Sequence, residues 1–309
     1  MKLSTMELLK KAKVDDSKYI HLDSDLLRKY QLALLKITDD IVEVCEEEHI
    51  TYQLSGGSCL GAVRHKGFIP WDDDMDINML GDHFDRFIAA FKKKYGDKYW
   101  IHTCHTKDYG LIVSRIRLKG SVLRIHQDVN NPEAGFFVDI FRLENTPDNP
   151  LLRRLHGTLC MGMGLCLSCR KFYQDRDTMR EFGKNDKELM KSINFKVNLG
   201  RLLSFMSLTK WTELTQSCCS MSKNSHSKYL TIPAGRKHYF GELYSREGME
   251  NTVFADFEGR KWRIAKDYQG YLKKLYGDYM WIPPEEDREK HFVLEIKFPG
   301  EKSIKKGTD

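Results

Sequence analysis

The chain has 309 residues, 41% of them hydrophobic and 30% charged, enough for one large domain or two smaller ones around a true core. Its net charge of +6 comes from 50 basic and 44 acidic residues that are interspersed, which speaks against a nucleic-acid-binding stripe but leaves room for an anionic substrate or membrane face. MKLSTMELLKKAKVDD has no apolar signal core, the most apolar stretch (LHGTLCMGMGLCLSC, 155–169) is shorter than the roughly eighteen residues of a spanning helix, and eight cysteines in mostly apolar runs read as free thiols, so a soluble cytoplasmic protein is predicted.

Residues 1–22 are read as an N-terminal segment. From 23 to 50, Leu27, Tyr30, Leu34, Ile37, Ile41 and Val44 recur three and four apart, which predicts an amphipathic helix. A short strand from Thr51 to Leu54 is stopped by Gly56-Gly57, and a short helix starts near Ser58. A strand feeding a glycine turn and a helix start is a place where backbone N–H groups meet phosphate. Beyond it, alternation puts Asp74, Asp76 and Asn78 on one strand face and Met75, Ile77 and Met79 on the other, predicting chemistry on the first and core on the second.

A helix is predicted over 81–96 and strands over 111–118, 121–125 and 135–143, which together suggest a mixed sheet flanked by helices, an α+β or α/β domain. NTPDNP at 145–150 reads as a boundary, and 151–228 as a helical subdomain or insertion. A hairpin over 252–264 and a helix within AKDYQGYLKKLYGDYM follow. The core domain is therefore placed at 23–150 and is completed by 229–309.

The segment RHKGFIPWDDDMDINML crowds Asp72, Asp73, Asp74 and Asp76 into five positions, where like charges repel. A solvated turn is the plain reading of any charge run. Two features weigh against it. The acids abut a strand with apolar alternate residues, so Asp74 and Asp76 are expected about 6–7 Å apart, within reach of one cation. Asp72, Asp74 and Asp76 mimic the first, third and fifth ligands of a calcium loop, but Ile77 stands where that loop needs Gly and His83 where it needs Glu. A Mg²⁺ site with positions open to phosphate oxygens suits the spacing better. The second feature is Asp139, set among Phe136, Phe137, Val138, Ile140 and Phe141, where a carboxylate is costly unless metal-bound or paired, with Arg142 or a neighbour as partner. Three acids on adjacent strands would hold two metals, or one metal and a base.

Arg64, His65 and Lys66 are candidate cationic donors to phosphate, and Trp71, Tyr276, Tyr279 and Trp281 are candidate aromatic faces. Cys166 and Cys169 form a C-x-x-C without a second pair, and small apolar helix residues are the favoured reading for them and for Cys218-Cys219. The apolar stretch between Arg153-Arg154 and Arg170-Lys171 either packs within its subdomain or lies on a membrane, and packing is favoured.

SGGSCLGAVRHKGFIPWDDDMDINM resembles the signature of the LicD/fukutin-related family, and FFVDIF and YLKKLYGDYMWIPPEEDREKH resemble its later segments; 151–228 carries no matching motif. The resemblance implies a nucleotidyltransferase-like fold and transfer of a phospho-alcohol, phosphocholine from CDP-choline in first place, to a hydroxyl of a glycan or its lipid-linked precursor. CMP would leave, and teichoic acid or lipopolysaccharide would be the glycan. The cofactor is expected to be Mg²⁺, with Mn²⁺ as substitute. The family's catalytic acids fall on Asp74, Asp76 and Asp139, which together with Asp72 become the metal ligands, and its glycine turn falls on Gly56, Gly57 and Ser58. Ser58-Cys59 replaces the common Thr-Leu and Met75 replaces Ile, both tolerable exchanges. Eukaryotic relatives usually carry an N-terminal anchor, so a bacterial role in the cytoplasm or at the inner membrane face is expected, without nucleic acid. Two rivals stay open: a nucleotidyltransferase that moves the nucleoside monophosphate itself, and a silent binding protein of the same fold. The complete acid set argues against the second.

Overall fold

The computed structural model describes residues 19–125, 128–285, 288 and 293–306, so the expected N-terminal segment and the end of the Pro-Pro motif fall largely outside the described residues. Helix α1 (Ser24–Glu47) starts where the Asp23 carboxylate accepts the Leu26 N–H at 2.8 Å. It buries Tyr30, Leu34, Ile37, Ile41 and Val44 of the residues its periodicity marked, and Leu27 is half-buried. β1 (Tyr52–Leu54), α2 (Gly56–His65), β2 (Asp76–Leu80), α3 (Gly81–Tyr95), β3 (Tyr99–His102), β4 (Ser114–Leu118), β5 (Val122–Ile125) and β6 (Phe137–Asn145) follow. β3 has no clear alternation in sequence and was not predicted; it forms because it pairs antiparallel with β4, Ile101 opposite Ile116.

The main sheet runs β1-β2-β6-β4-β3 and is mixed: β2 and β6 are parallel, the other pairs along this path antiparallel. Leu54, Ile77 and Ile140 lie side by side across β1, β2 and β6 and are almost wholly buried. α1 packs on β6 and on α3.

After the 146–149 turn, Asn149 caps α4 (Pro150–Gln174), with proline in its first turn. α5 (Arg176–Gly183), α6 (Lys187–Leu202) and α7 (Leu208–Cys219) complete a helical layer, as expected for 151–228. This layer has its own small apolar clusters, Met179 with Leu189, Ile193 and Val197, and Leu167 with Leu208 and Trp211. Gln216 on α7 ties it to the sheet by donating to the buried Glu144 carboxylate at 2.7 Å.

The chain returns through β7 (Tyr229–Thr231), α8 (His238–Gly241), β8 (Leu243–Ser245) and α9 (Arg246–Glu250), β7 extending the sheet beside the end of β6. The predicted hairpin is β9 (Thr252–Phe257) with β10 (Arg260–Ala265), and the predicted helix is α10 (Tyr268–Tyr276), packed on α2. β11 (Val293–Lys297) joins β5 and β12 (Ile304–Lys305) in a separate three-stranded sheet.

Several boundaries differ from the sequence expectation: β4 begins at Ser114 rather than 111, and β6 runs Phe137–Asn145 rather than 135–143. α2 begins at Gly56 rather than near Ser58, and β2 begins at Asp76 rather than Asp74. The supposed chemical face of β2 is also chemical only at its first residue, because Asn78 is fully buried under α10. Ile77 is 0% exposed on β2, between antiparallel β1 and parallel β6, so Ile77→Ala is expected to cost about 2–5 kcal/mol, measured as a lower urea midpoint with unchanged slope.

Candidate active site

The parallel register of β2 and β6 sets Asp76 directly beside Asp139, their side chains on the same sheet face. On the other flank of β6, Arg115 lies opposite Asp139 and donates Nε to Oδ1 at 2.7 Å and Nη2 to Oδ2 at 3.2 Å. Asp139 is therefore the paired strand carboxylate that the sequence left as one option, with Arg115 as partner; Arg142 instead pairs with Glu144. Arg115 also reaches Asp128, which holds the fully buried Arg117 at 2.7 Å. Both guanidinium groups stack on Phe137, at 4.1 and 4.8 Å from its ring centre.

α2 supplies the opposite wall. Gly56 has φ +47°, and a Cβ there would stand 3.1 Å from Asp76 Oδ2; one on Gly57 would stand 2.7 Å from Asp72 Oδ2. Two carboxylates therefore rest against the first turn of one helix, space that only glycine leaves open. The Tyr271 hydroxyl from α10 fixes this corner by accepting the Gly56 N–H at 2.9 Å and meeting Ser55 Oγ at 2.9 Å and Asn78 Nδ2 at 3.4 Å. Ser58, expected to face phosphate, is buried and accepts the Asp76 N–H at 2.9 Å, so it aims the acid-bearing strand instead.

Two tyrosines, the buried Tyr30 and the partly buried Tyr276, sense the acids. Burial raises the Tyr276 phenol well above its ordinary value, Tyr271 and Asp76 add to the rise, and Asp72 adds less against Arg236. Burial likewise raises Tyr30, with Asp73, Asp74 and Asp139 adding. Asp72 and Asp76 thus neighbour Tyr276, and Asp73, Asp74 and Asp139 neighbour Tyr30. Gln31 holds the segment from below by donating to the Asp72 carbonyl at 2.9 Å.

Among the described residues, no three His, Cys, Asp or Glu side chains are arranged to hold a metal ion. Mg²⁺ commonly takes only one or two carboxylates and fills its shell with water and substrate phosphate. The Asp72 and Asp76 oxygens cradled at Gly56-Gly57 fit that smaller donor set.

The expected cations are placed otherwise. Arg64 Nη1 donates to the Tyr279 and Trp281 carbonyls at 2.9 Å each, and Nε donates to His65 Nε2 at 3.0 Å. Burial and the Arg64 charge lower the His65 pKa, so the imidazole is a neutral acceptor. Lys66 adopts a left-handed backbone, φ 57°, at the end of α2. The Trp71 ring is covered by the Arg288 guanidinium at 4.0 Å, Tyr276 and Tyr279 are partly buried against the core, and Trp281 is 58% exposed. Cys166 and Cys169 are free thiols in α4, and the structure brings Cys160 within 3.7 Å of Cys218.

The sequence reading missed Arg115, Tyr271 and Arg236. Arg115 and Arg117 left a signal in SRIRL: charges at alternate positions of an apolar strand share one face and need partners there. Tyr271 and Arg236 left none, since neither is near the acids in sequence. Arg236, on an exposed loop, lies 5.8 Å from the centre of the Tyr276 ring.

A profile of the LicD/FKTN/FKRP nucleotidyltransferase domain matches residues 49–152, which contain α2, β2 and both strands that pair with Asp139. Over 290 residues the chain is 28% identical to the lipopolysaccharide cholinephosphotransferase LicD of Haemophilus influenzae, a match spanning 87% of this chain and 97% of that protein. Residues 49–152 are thus similar to the nucleotidyltransferase domain of the LicD/FKTN/FKRP family, and the likeness to LicD runs over most of the chain. Over 47 residues it is also 45% identical to the ribitol 5-phosphate transferase FKRP of mouse and of human, 15% of this chain and 10% of each.

Two outcomes follow from this geometry. Arg115→Gln takes the paired cation from the largely buried Asp139 carboxylate, while Asp128 keeps Arg117, with an expected loss of about 3–5 kcal/mol in urea unfolding. Glu242 closes the loop that carries Arg236, and burial pushes its carboxyl from 4.5 up to about 7, against the Lys237 N–H and the charges of Lys237, Lys274 and Arg236. A raised acid penalises the folded state as pH rises: nothing below 4.5, growing from there, complete above about 7. Glu242→Gln is expected to remove this part of the pH slope and to exceed the wild type in stability at about pH 8; parallel stability profiles would contradict it.

Proposed function

We propose that the protein transfers a phospho-alcohol group from a nucleotide-activated donor to a glycan hydroxyl, with phosphocholine from CDP-choline as the group carried and CMP as the leaving product. The observation that carries this reading is the meeting of Asp76, Asp139 and the Gly56-Gly57 helix start at one end of β2 and β6. Support comes also from the named activities of the relatives, cholinephosphate transfer for one and ribitol phosphate transfer for another.

In this reading the acceptor oxygen forms a bond to the distal phosphorus of the donor while the bond from that phosphorus to the CMP oxygen breaks. Such a transfer asks a protein mainly for alignment and for positive charge where negative charge builds up. Asp72 and Asp76, with Asp74 nearby in the chain, would hold Mg²⁺, which when bound offsets charge on the pyrophosphate. The Gly57 and Ser58 N–H groups belong to the first turn of α2, whose dipole favours phosphate. Arg236 takes over the cationic part first expected of Arg64 and His65, because those two are committed to the 279–281 carbonyls and to each other. Asp139 accepts the proton of the attacking hydroxyl, and Arg115 holds its carboxylate in place from both oxygens.

Asp76→Asn is expected to lower transfer by at least about a hundredfold while the melting temperature stays near wild type. Donor labelled once in the choline phosphate and once in the nucleotide identifies the group moved. Nucleotide label on the acceptor would establish nucleotidyl transfer instead, and full activity in Asp76→Asn would end the role given to the acids.

A further inference from the structure

Helix α4, PLLRRLHGTLCMGMGLCLSCRKFYQ, contains no acidic residue in a chain that has 44. Its inner side, with His156, Gly157, Cys160, Leu167 and Cys169, is buried against its neighbours. Its outer side is not covered: Leu151, Leu152, Leu155 and Leu159 are 66%, 56%, 60% and 48% exposed. Leu152, Leu155 and Leu159 recur at helical spacing and form a ridge along one face. A groove of about 370 Å³ runs between this ridge and Met221. Another of about 500 Å³ lies on its other flank, lined by Arg153, Arg154, Thr158 and Phe240. Packing within the helical layer, the role the sequence favoured for this stretch, therefore accounts for only half of the helix.

We propose that this face of α4 docks the protein on an anionic lipid bilayer, with the leucine ridge sunk into the headgroup boundary and Arg154 set among the headgroup phosphates. Contiguous exposed leucines flanked by arginine and free of acids are what such a surface selects, because the apolar ridge enters the boundary while the charges stay at its level. Among the described residues no helix is long and apolar enough to cross a membrane, so α4 lies on the bilayer. A second copy fits less well. A two-fold contact on the ridge would bring Arg153 and Arg154 of both chains into one interface with no acid on either α4 to offset them.

The docked helix is also joined to the acid site by one short loop. Tyr239 and Phe240 close on Gly157 of α4, where a Cβ would meet Phe240 Cζ at 2.5 Å, and Arg236 of the same loop lies over Tyr276 beside Asp72 and Asp76. Docking would thus bring the acids near the lipid surface. The inference stands apart from the transferase reading, and its test reads binding alone.

The full chain is sedimented with vesicles of phosphatidylcholine alone or containing about one-third phosphatidylglycerol. The wild type is expected to bind the anionic vesicles, less so at high salt, with Leu155→Glu/Leu159→Glu lowering partition at least about tenfold. Arg154→Glu is expected to lower it about fivefold on anionic vesicles only. These side chains are exposed, so circular dichroism should be unchanged. Absence of binding, equal binding by the variants, or a wild-type dimer in light scattering that Leu155→Glu dissociates would each overturn the proposal.

Discussion

Two carboxylates held side by side in a sheet repel each other, and the surroundings of β2 and β6 are organised around that repulsion. The parallel register that pairs Asp76 with Asp139 is enforced by the apolar residues behind it, since a slip by one residue would turn Ile77 and Ile140 out of the core. The cost is met from two sides. Arg115 neutralises Asp139 from β4, and the first turn of α2 presents its positive end to Asp72 and Asp76.

The helix wall is itself held from a distance. Tyr271 reaches from α10, more than 190 positions away in sequence, to fix Ser55, Gly56 and Asn78, while Ser58, 18 positions away, fixes the Asp76 backbone. This explains why the C-terminal part of the chain belongs to the same core as its first half: Tyr271, Leu272 and Leu275 are buried in one cluster with Tyr52, Leu54 and Ile77. Arg64 works in the same sense, gripping the carbonyls at 279 and 281. A cation beside a motif of acids is as apt to bind the protein's own backbone as a phosphate, since both offer the same acceptor oxygens.

The helical layer follows a different logic. Its contacts with the sheet are few and specific, such as Gln216 with Glu144, and its interior consists of small separate clusters. α4 is buried on one side only. A helix that completes a fold would bury its whole apolar arc, and the open ridge of α4 marks it as a surface for something other than the chain itself.

Most elements were legible in the sequence because their information is local: the period of α1, the glycine stop after β1, the alternation in β4 to β6 and the proline-rich turn at 147–150 depend on neighbours within a few residues. The acid motif and its family were legible for the same reason, being one contiguous run. What the sequence could not decide was direction and partnership. Asp139 was identified, but its ion pair with Arg115 depends on which strand lies next to β6. Ser58, Arg64 and His65 were identified too, yet their bonds run to Asp76, to the 279–281 carbonyls and to each other, which only packing specifies. Composition revealed that α4 is apolar and free of acids, and tertiary structure alone decided which half of it meets the protein, because burial is a property of what stands opposite a side chain and not of the side chain itself.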